Sequence, residues 1–192
     1  MHRLWAVPCS MRKITVMAMM FGLLFSGCTQ GAEPAPDWAL TSSAGELTRL
    51  STEVQEQPVI LFFWATWCPY CKALMPHLQS MKLEYGDAMK ILAINFRENG
   101  DPVGFIDEKG YDFTVLPDGD EVAAIYDVYG TPGIIIVDGE RQIVFDLRQL
   151  PPYVPPSAGK KISHSKRAAY MAPYWAAAIR IEIDSALGVT PQ

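Results

Sequence analysis

Histidine and cysteine are scarce in this chain, with three of the first and four of the second in 192 residues. Cys9 and Cys28 lie in or at the edge of an apolar N-terminal stretch, which leaves Cys68 and Cys71 for the folded part. A framework of several disulfides is thereby excluded. A structural zinc site is disfavoured, because it needs four ligands and His2, His77 and His164 are scattered. Positive charge is not in excess. The formal net charge is −5, where a nucleic-acid binder should present a basic face. There is no internal repeat, and the apolar run Ile14 to Phe25 is too short to span a bilayer, which takes about 20 residues.

What is present begins with that run. Arg12 and Lys13 precede it, and Ser26-Gly27-Cys28 follows at once. Charge, a short apolar run and small residues in this order read as an export signal over residues 1–27. The cysteine placement resembles the signal of bacterial lipoproteins, with Phe25 standing where leucine is usual. That resemblance implies that Cys28 becomes the lipidated first residue of the mature chain. Met11 offers a second possible start. Loss of residues 1–27 removes Arg3, Arg12 and Lys13 and no acid, so the mature chain is more acidic still. Thr29 follows Cys28 where an aspartate would hold a lipoprotein in the inner membrane, and the choice between inner and outer membrane stays open. Met17, Met19 and Met20 are filler of the signal, not a copper site.

Residues 28–36 are small and polar with two prolines and read as a tether. A folded domain is expected over 37–192, and 49% of the chain is hydrophobic, enough for one core. Asp37 to Thr41 and Leu47 to Leu50 flank Ser-Ser-Ala-Gly and predict a small β-hairpin, followed by a helical turn at Ser51 to Val54. Pro58 to Ala65 is uniformly apolar and predicts a central buried strand. Cys68 to Tyr85 predicts a helix kinked at Pro76, and Lys90 to Phe96 a second buried strand. Asp101 and Pro102 open a helix to Tyr111, and Glu121 to Tyr129 is a shorter one. Gly133 to Val137 and Gln142 to Leu147 predict strands joined by a tight turn at Asp138-Gly139. Residues 150–166 read as a proline-rich loop, and 167–187 as a closing helix whose first turn Pro173 should break. The order predicts an α/β sandwich, with a central mixed sheet flanked by helices and an N-terminal β-hairpin.

The chemistry sits where the first buried strand meets its helix: Trp67-Cys68-Pro69-Tyr70-Cys71. A helix N-terminus carries partial positive charge and free N–H groups, so it stabilises a thiolate there. The thiolate is the attacking species in disulfide exchange. Two intervening residues let the second cysteine close a ring with the first. The cysteine pair therefore predicts thiol–disulfide chemistry. Weaker features have plainer readings. His77 reads as solvent-exposed, Asp118, Asp120 and Glu121 as a turn and helix start, and Lys160, Lys161, Lys166 and Arg167 as a solvated loop.

Phe63 to Lys72, Pro76, Asn95-Phe96-Arg97-Glu98 and Tyr129-Gly130-Thr131-Pro132-Gly133 together resemble the TlpA/ResA/DsbE-like branch of thioredoxins. Those are exported, membrane-tethered thiol–disulfide oxidoreductases. The resemblance covers about Asp37 to Leu147. It implies a thioredoxin-like fold, with Cys68 the exposed attacking thiol and Cys71 the resolving one. It also implies a cis Pro132 facing the pair and Thr131 offering its backbone to an extended substrate. Trp67, Pro69 and Tyr70 would shape the rim. No cofactor beyond the redox-active Cys68–Cys71 disulfide is implied, and no metal. Partners would be protein thiols or disulfides and a membrane electron donor, at the periplasmic face of a bacterial membrane.

The chain departs from the family in one respect. Phe62, six before Cys68, and Leu74, three after Cys71, occupy the two positions where relatives carry an acid. Slow resolution of mixed disulfides is the expected consequence. Reduction is the favoured direction; a disulfide-donating oxidase and a Cu(I)-handling thiol chaperone are the alternatives. A peroxidase reading is weaker, because no isolated cysteine with a threonine three residues before it is present.

Overall fold

A computed structural model describes residues 34–154, 159 and 161–189. The export signal, Cys28 and residues 29–33 of the tether lie outside the described residues. No helix among the described residues is long and apolar enough to cross a membrane.

Strand β3 (Val59–Trp64) is the axis of the fold, and all six of its residues are buried. It pairs in parallel with β4 (Lys90–Asn95) on one edge and antiparallel with β6 (Gly133–Val137) on the other. Beyond these lie β5 (Thr114–Leu116) and β7 (Ile143–Asp146), giving the order β5-β4-β3-β6-β7. The sheet is therefore mixed, as expected, because a crossover helix feeds each of β4 and β5 while a hairpin feeds β7.

The unbroken apolar run of β3 has a direct cause. Ile60, Phe62 and Trp64 face one core with helices α2 (Pro69–Tyr85), α3 (Pro102–Lys109) and α5 (His164–Ala186). Val59, Leu61 and Phe63 face the other, closed by α4 (Asp120–Ile125), the hairpin β1 (Ala39–Thr41) and β2 (Leu47–Arg49), and α1 (Leu50–Glu53). A strand covered on both faces has no polar side to alternate with.

Helix α5 lies on α2. Ala168, Ala172 and Ala176 form its close-approach face, with Ile179 and Ile183 fully buried beyond them. Outside that seam the Tyr85 hydroxyl donates to Asp184 at 2.6 Å, and Arg180 bonds Glu84 at 2.7 Å.

Several expectations need correction. Helix α5 starts at His164, not Arg167, because the Ser163 hydroxyl caps it by accepting from the Lys166 N–H. Pro173 lies well inside it on the exposed side, where water can serve the carbonyl it leaves unpaired, and does not break it. Helix α2, by contrast, continues through Pro76 as expected. The helix expected to reach Tyr129 stops at Ile125, and Asp127 takes a left-handed φ of 54°. Strand β5 was not foreseen, its three residues being too short to show a period.

The β6–β7 turn is wider than Asp138-Gly139. It runs to Gln142, with Arg141 rather than glycine in the left-handed region, and the Asp138 carboxylate accepts from the Glu140 and Gln142 N–H groups. The last residues of the tether belong to the domain. Pro34 bridges Gln142, Ala35 is 1% exposed, and the Tyr126 hydroxyl donates to the Pro36 carbonyl.

Truncating Ile179 to alanine should cost about 2–5 kcal/mol, the usual price of a buried cavity. Urea unfolding should show a lower midpoint at unchanged slope.

Candidate active site

Two-sided burial fixes the end of β3, and the chain leaves it through Ala65-Thr66-Trp67 into α2. Cys68 is the N-cap of that helix. Its backbone is extended, and its sulfur accepts from the Cys71 N–H at 3.1 Å. Pro69 takes the first helical position, where its missing N–H costs nothing. Cys71 falls one turn on, on the buried face. Both cysteines are free thiols.

The two sulfurs are driven apart in acidity. A hydrogen bond from the Cys71 thiol lowers Cys68 most. Burial opposes this, and the Thr131 side chain and the N–H groups of Cys71 and Tyr70 add to it, bringing Cys68 down to about 6. Burial pushes Cys71 well above the ordinary thiol value, with the Cys68 sulfur adding to the push. Carboxylates do not figure among the main influences on Cys71, and Phe62 and Leu74 are both fully buried apolar residues. The arrangement makes one thiol a ready nucleophile at neutral pH and holds the other in reserve.

The loop after β4 organises the rim. The Glu98 carboxylate accepts from the Thr66 N–H and hydroxyl, both at 2.7 Å. It also accepts from the Asn95 amide and from the Asn99 and Gly100 N–H groups. Burial works against this charge, yet the bonds from Thr66 and Asn95 hold Glu98 down at about 2. Next to it Arg97, with φ 51°, accepts the Trp67 indole N–H on its carbonyl at 2.8 Å. Its guanidinium donates to the Tyr129 carbonyl at 2.7 Å. Gly119 packs tightly on the end of β4, where a Cβ would collide with Ile94 and the Asn95 carbonyl.

Each residue singled out from the motif is in this corner. Trp67 is 51% exposed, and Pro69, Tyr70, Thr131 and Pro132 are half-buried. The Thr131–Pro132 bond is cis. Cys68 departs from expectation: it is 1% exposed, not open, because capping the helix turns its sulfur inward over the first turn.

Sequence reasoning missed Glu98 as an anchor of the Thr66 loop. It also missed that α5, expected only as a closing helix, reaches the site, where it brings His164 to 3.5 Å from the Tyr70 hydroxyl and sets Trp175 against the Tyr70 ring at 6.0 Å. Glu98 carried a signal in its place after the second buried strand; His164 and Trp175 carried none. No group of three or more His, Cys, Asp or Glu among the described residues is placed to hold a metal ion.

A family model described as the AhpC/TSA family matches residues 32–145. The thioredoxin-like protein YneN of Bacillus subtilis is 31% identical over 122 residues, 62% of this chain and 71% of its own length. The thiol-disulfide oxidoreductase ResA of Halalkalibacterium halodurans is 31% identical over 118 residues, 60% of this chain and 66% of its own. A Chlorobium tepidum structure described as a thiol:disulfide interchange protein DsbE superposes with a TM-score of 0.63 at 25% identity, covering 82% of this chain and 98% of that one.

Titrating the reduced protein should raise thiolate ultraviolet absorbance with a midpoint near pH 6, and Cys68→Ser should remove that step. For Glu98 the folded value is depressed, so its contribution to stability is full above the ordinary glutamate value and is lost as pH falls towards about 2. Glu98→Gln should flatten that part of an acid-unfolding curve.

Proposed function

This chain belongs to the AhpC/TSA family and is a thiol–disulfide oxidoreductase of the thioredoxin-like type; from that premise we propose that it reduces protein disulfides outside the cytoplasm, held to a membrane by lipid on Cys28. What supports the reducing direction is that the lowering of Cys68 stops at about 6, short of the range of a strong oxidant. Stabilising the thiolate stabilises the reduced form and makes the pair more oxidising. Thioredoxin, with a thiol near pKa ~7, is a reductant at about −270 mV, whereas DsbA, near ~3.5, is an oxidant at about −120 mV. Cys68 lies much nearer the first.

The reaction follows from the two sulfurs. The Cys68 thiolate attacks one sulfur of a substrate disulfide, and the other substrate sulfur leaves as a thiolate. Cys71 then loses its proton to solvent and attacks the Cys68 sulfur. The second substrate sulfur leaves, and a Cys68–Cys71 disulfide remains. Two electrons have passed to the substrate, and an external dithiol donor, by this reading membrane-borne, returns them. The backbone of Thr131 pairs with the substrate segment while this occurs, by strand addition. With no acid beside it, Cys71 is deprotonated slowly, so resolution is the slow step.

The location rests on the N-terminal signal and on Cys28 following it. In acid-quenched native cells, thiol alkylation should find the pair mostly reduced; a mostly oxidised pair would reverse the direction. Cys68→Ser should abolish reduction of a protein disulfide, and Cys71→Ser should accumulate covalent substrate complexes. In single turnover the wild type should resolve its mixed disulfide faster as pH rises from 7 to 9, about tenfold per unit while the Cys71 thiolate is scarce. A rapid, pH-independent step would mean that another base serves Cys71.

A further inference from the structure

Charge is distributed unevenly along this acidic chain. Between Asp146 and Glu182 there is no acid, while Arg148, Lys160, Lys161, Lys166, Arg167 and Arg180 are all basic, in a chain of net charge −5. Arg148 and Arg180 are paired with Asp146 and Glu84. Lys161, Lys166 and Arg167 are exposed and form no ion pair among the described residues.

Helix formation does not account for these three cations. Helix α5 begins at His164, so Lys166 and Arg167 fall in its first turn, and no acid lies there. The positive end of a helix dipole favours acids and repels cations. Helix α5 therefore carries cations where its own dipole opposes them, and side chains and dipole sum to one positive patch.

The patch borders the cysteine pair. His164 Nδ1 is 3.5 Å from the Tyr70 hydroxyl, and the two rings meet edge to face at 6.2 Å. Tyr70 stands between Cys68 and Cys71 in the sequence. Lys166 and Arg167 lie about 3 to 5 Å beyond His164 along the helix axis. The acids of the site, Glu98 and Asp120, belong instead to the corner formed with the loop after β4, where they accept from the Thr66 and Arg97 N–H groups.

We propose that Lys161, Lys166 and Arg167 form a docking surface for an acidic protein partner, which brings its exchanging cysteine to Cys68. This rests on Cys68 acting as the exchanging thiol, as argued above. The occupant is a protein rather than a lipid surface because the patch continues onto Tyr70, so whatever covers it also covers the approach to Cys68. Pro34, through which the chain enters the domain, bridges Gln142 at the opposite end of the sheet, where Val137 pairs with Val59. A tether attached there has no need of a basic patch at the cysteine end. Complementary charge raises association rates by about 10–10³, an effect that falls steeply with salt.

The test uses the reduced Cys71→Ser protein and symmetrical disulfide dimers of short peptides whose cysteine is flanked by Glu, Ser or Lys. The Cys68 thiolate attacks one peptide sulfur, and the other peptide leaves as its thiolate. The readout is the second-order rate of this step, divided by the rate of the same dimer with dithiothreitol, which removes the intrinsic reactivity of each peptide. At about 0.01 M salt, where charge acts over about 30 Å, the Glu dimer should exceed the Lys dimer by about tenfold or more. At about 1 M salt, where charge acts over about 3 Å, the two should converge. Combining Lys161→Gln, Lys166→Gln and Arg167→Gln should bring the low-salt ratio close to one and leave the Ser dimer unchanged. Glu at the same three positions should reverse the preference, and acids in the first turn suit the helix dipole, so that variant keeps its fold.

Equal rates for the Glu and Lys dimers at low salt, a preference for Lys, or a Glu preference that survives the three Gln changes would overturn the docking surface. So would sedimentation with phosphatidylglycerol vesicles that the Gln changes abolish while the dimers are not discriminated, since the patch would then face lipid. Failure to exchange with any dimer or with a small disulfide would overturn the oxidoreductase reading as well; exchange without charge preference overturns the docking surface alone.

Discussion

The sulfur of Cys68 sits in the place of a helix-capping oxygen, 3.1 Å from the Cys71 N–H, and the rest of the site depends on that contact. A capping group at a helix N-terminus takes up an otherwise orphaned donor and meets the positive end of the helix dipole. A thiolate does both better than a thiol. The preference for the charged form is thus built into the start of α2, and it holds only while that start stays where β3 delivers it. The buried faces of β3 fix the strand, and the Glu98 carboxylate fixes the connecting loop through Thr66. The same carboxylate reaches Asn95 at the end of β4, so the neighbouring strand braces the turn that presents the sulfur.

From that geometry comes the division of labour between two chemically identical residues. One turn of helix separates them, and it carries Cys71 from the capped end onto the buried face against the sheet. Burial penalises charge at Cys71, while donors reward it at Cys68. Around Cys71 the core is hydrocarbon: Phe62 and Leu74, members of the same cluster, are both fully buried.

Much of this was legible in the sequence, and the parts that were share a property. The strand at Pro58 to Ala65, the helix after Cys68, the Asp101–Pro102 helix start and the closing hairpin each announce themselves within a short window, through periodicity or capping residues. Errors cluster where a side chain overrode the local pattern. The Asp138 carboxylate gathered two N–H groups and widened a turn expected to be tight, and the Ser163 cap began α5 three residues early. Pro34 to Pro36 looked like linker by composition and were claimed by the domain through Gln142 and Tyr126.

By itself the sequence determined the chemistry available: one cysteine pair at a strand-to-helix junction, with no third thiol and no clustered histidine in the folded part. Tertiary structure decided what surrounds that pair. Trp67 meets Arg97, Arg97 meets Tyr129, and Tyr70 meets His164 and Trp175 only because the order β5-β4-β3-β6-β7 and the packing of α5 on α2 bring distant loops to one end of the sheet. Propensity and capping act over a few residues and leave their mark in the local sequence. Contacts between segments separated by 30 residues or more depend on how buried faces fit together, which no short window records.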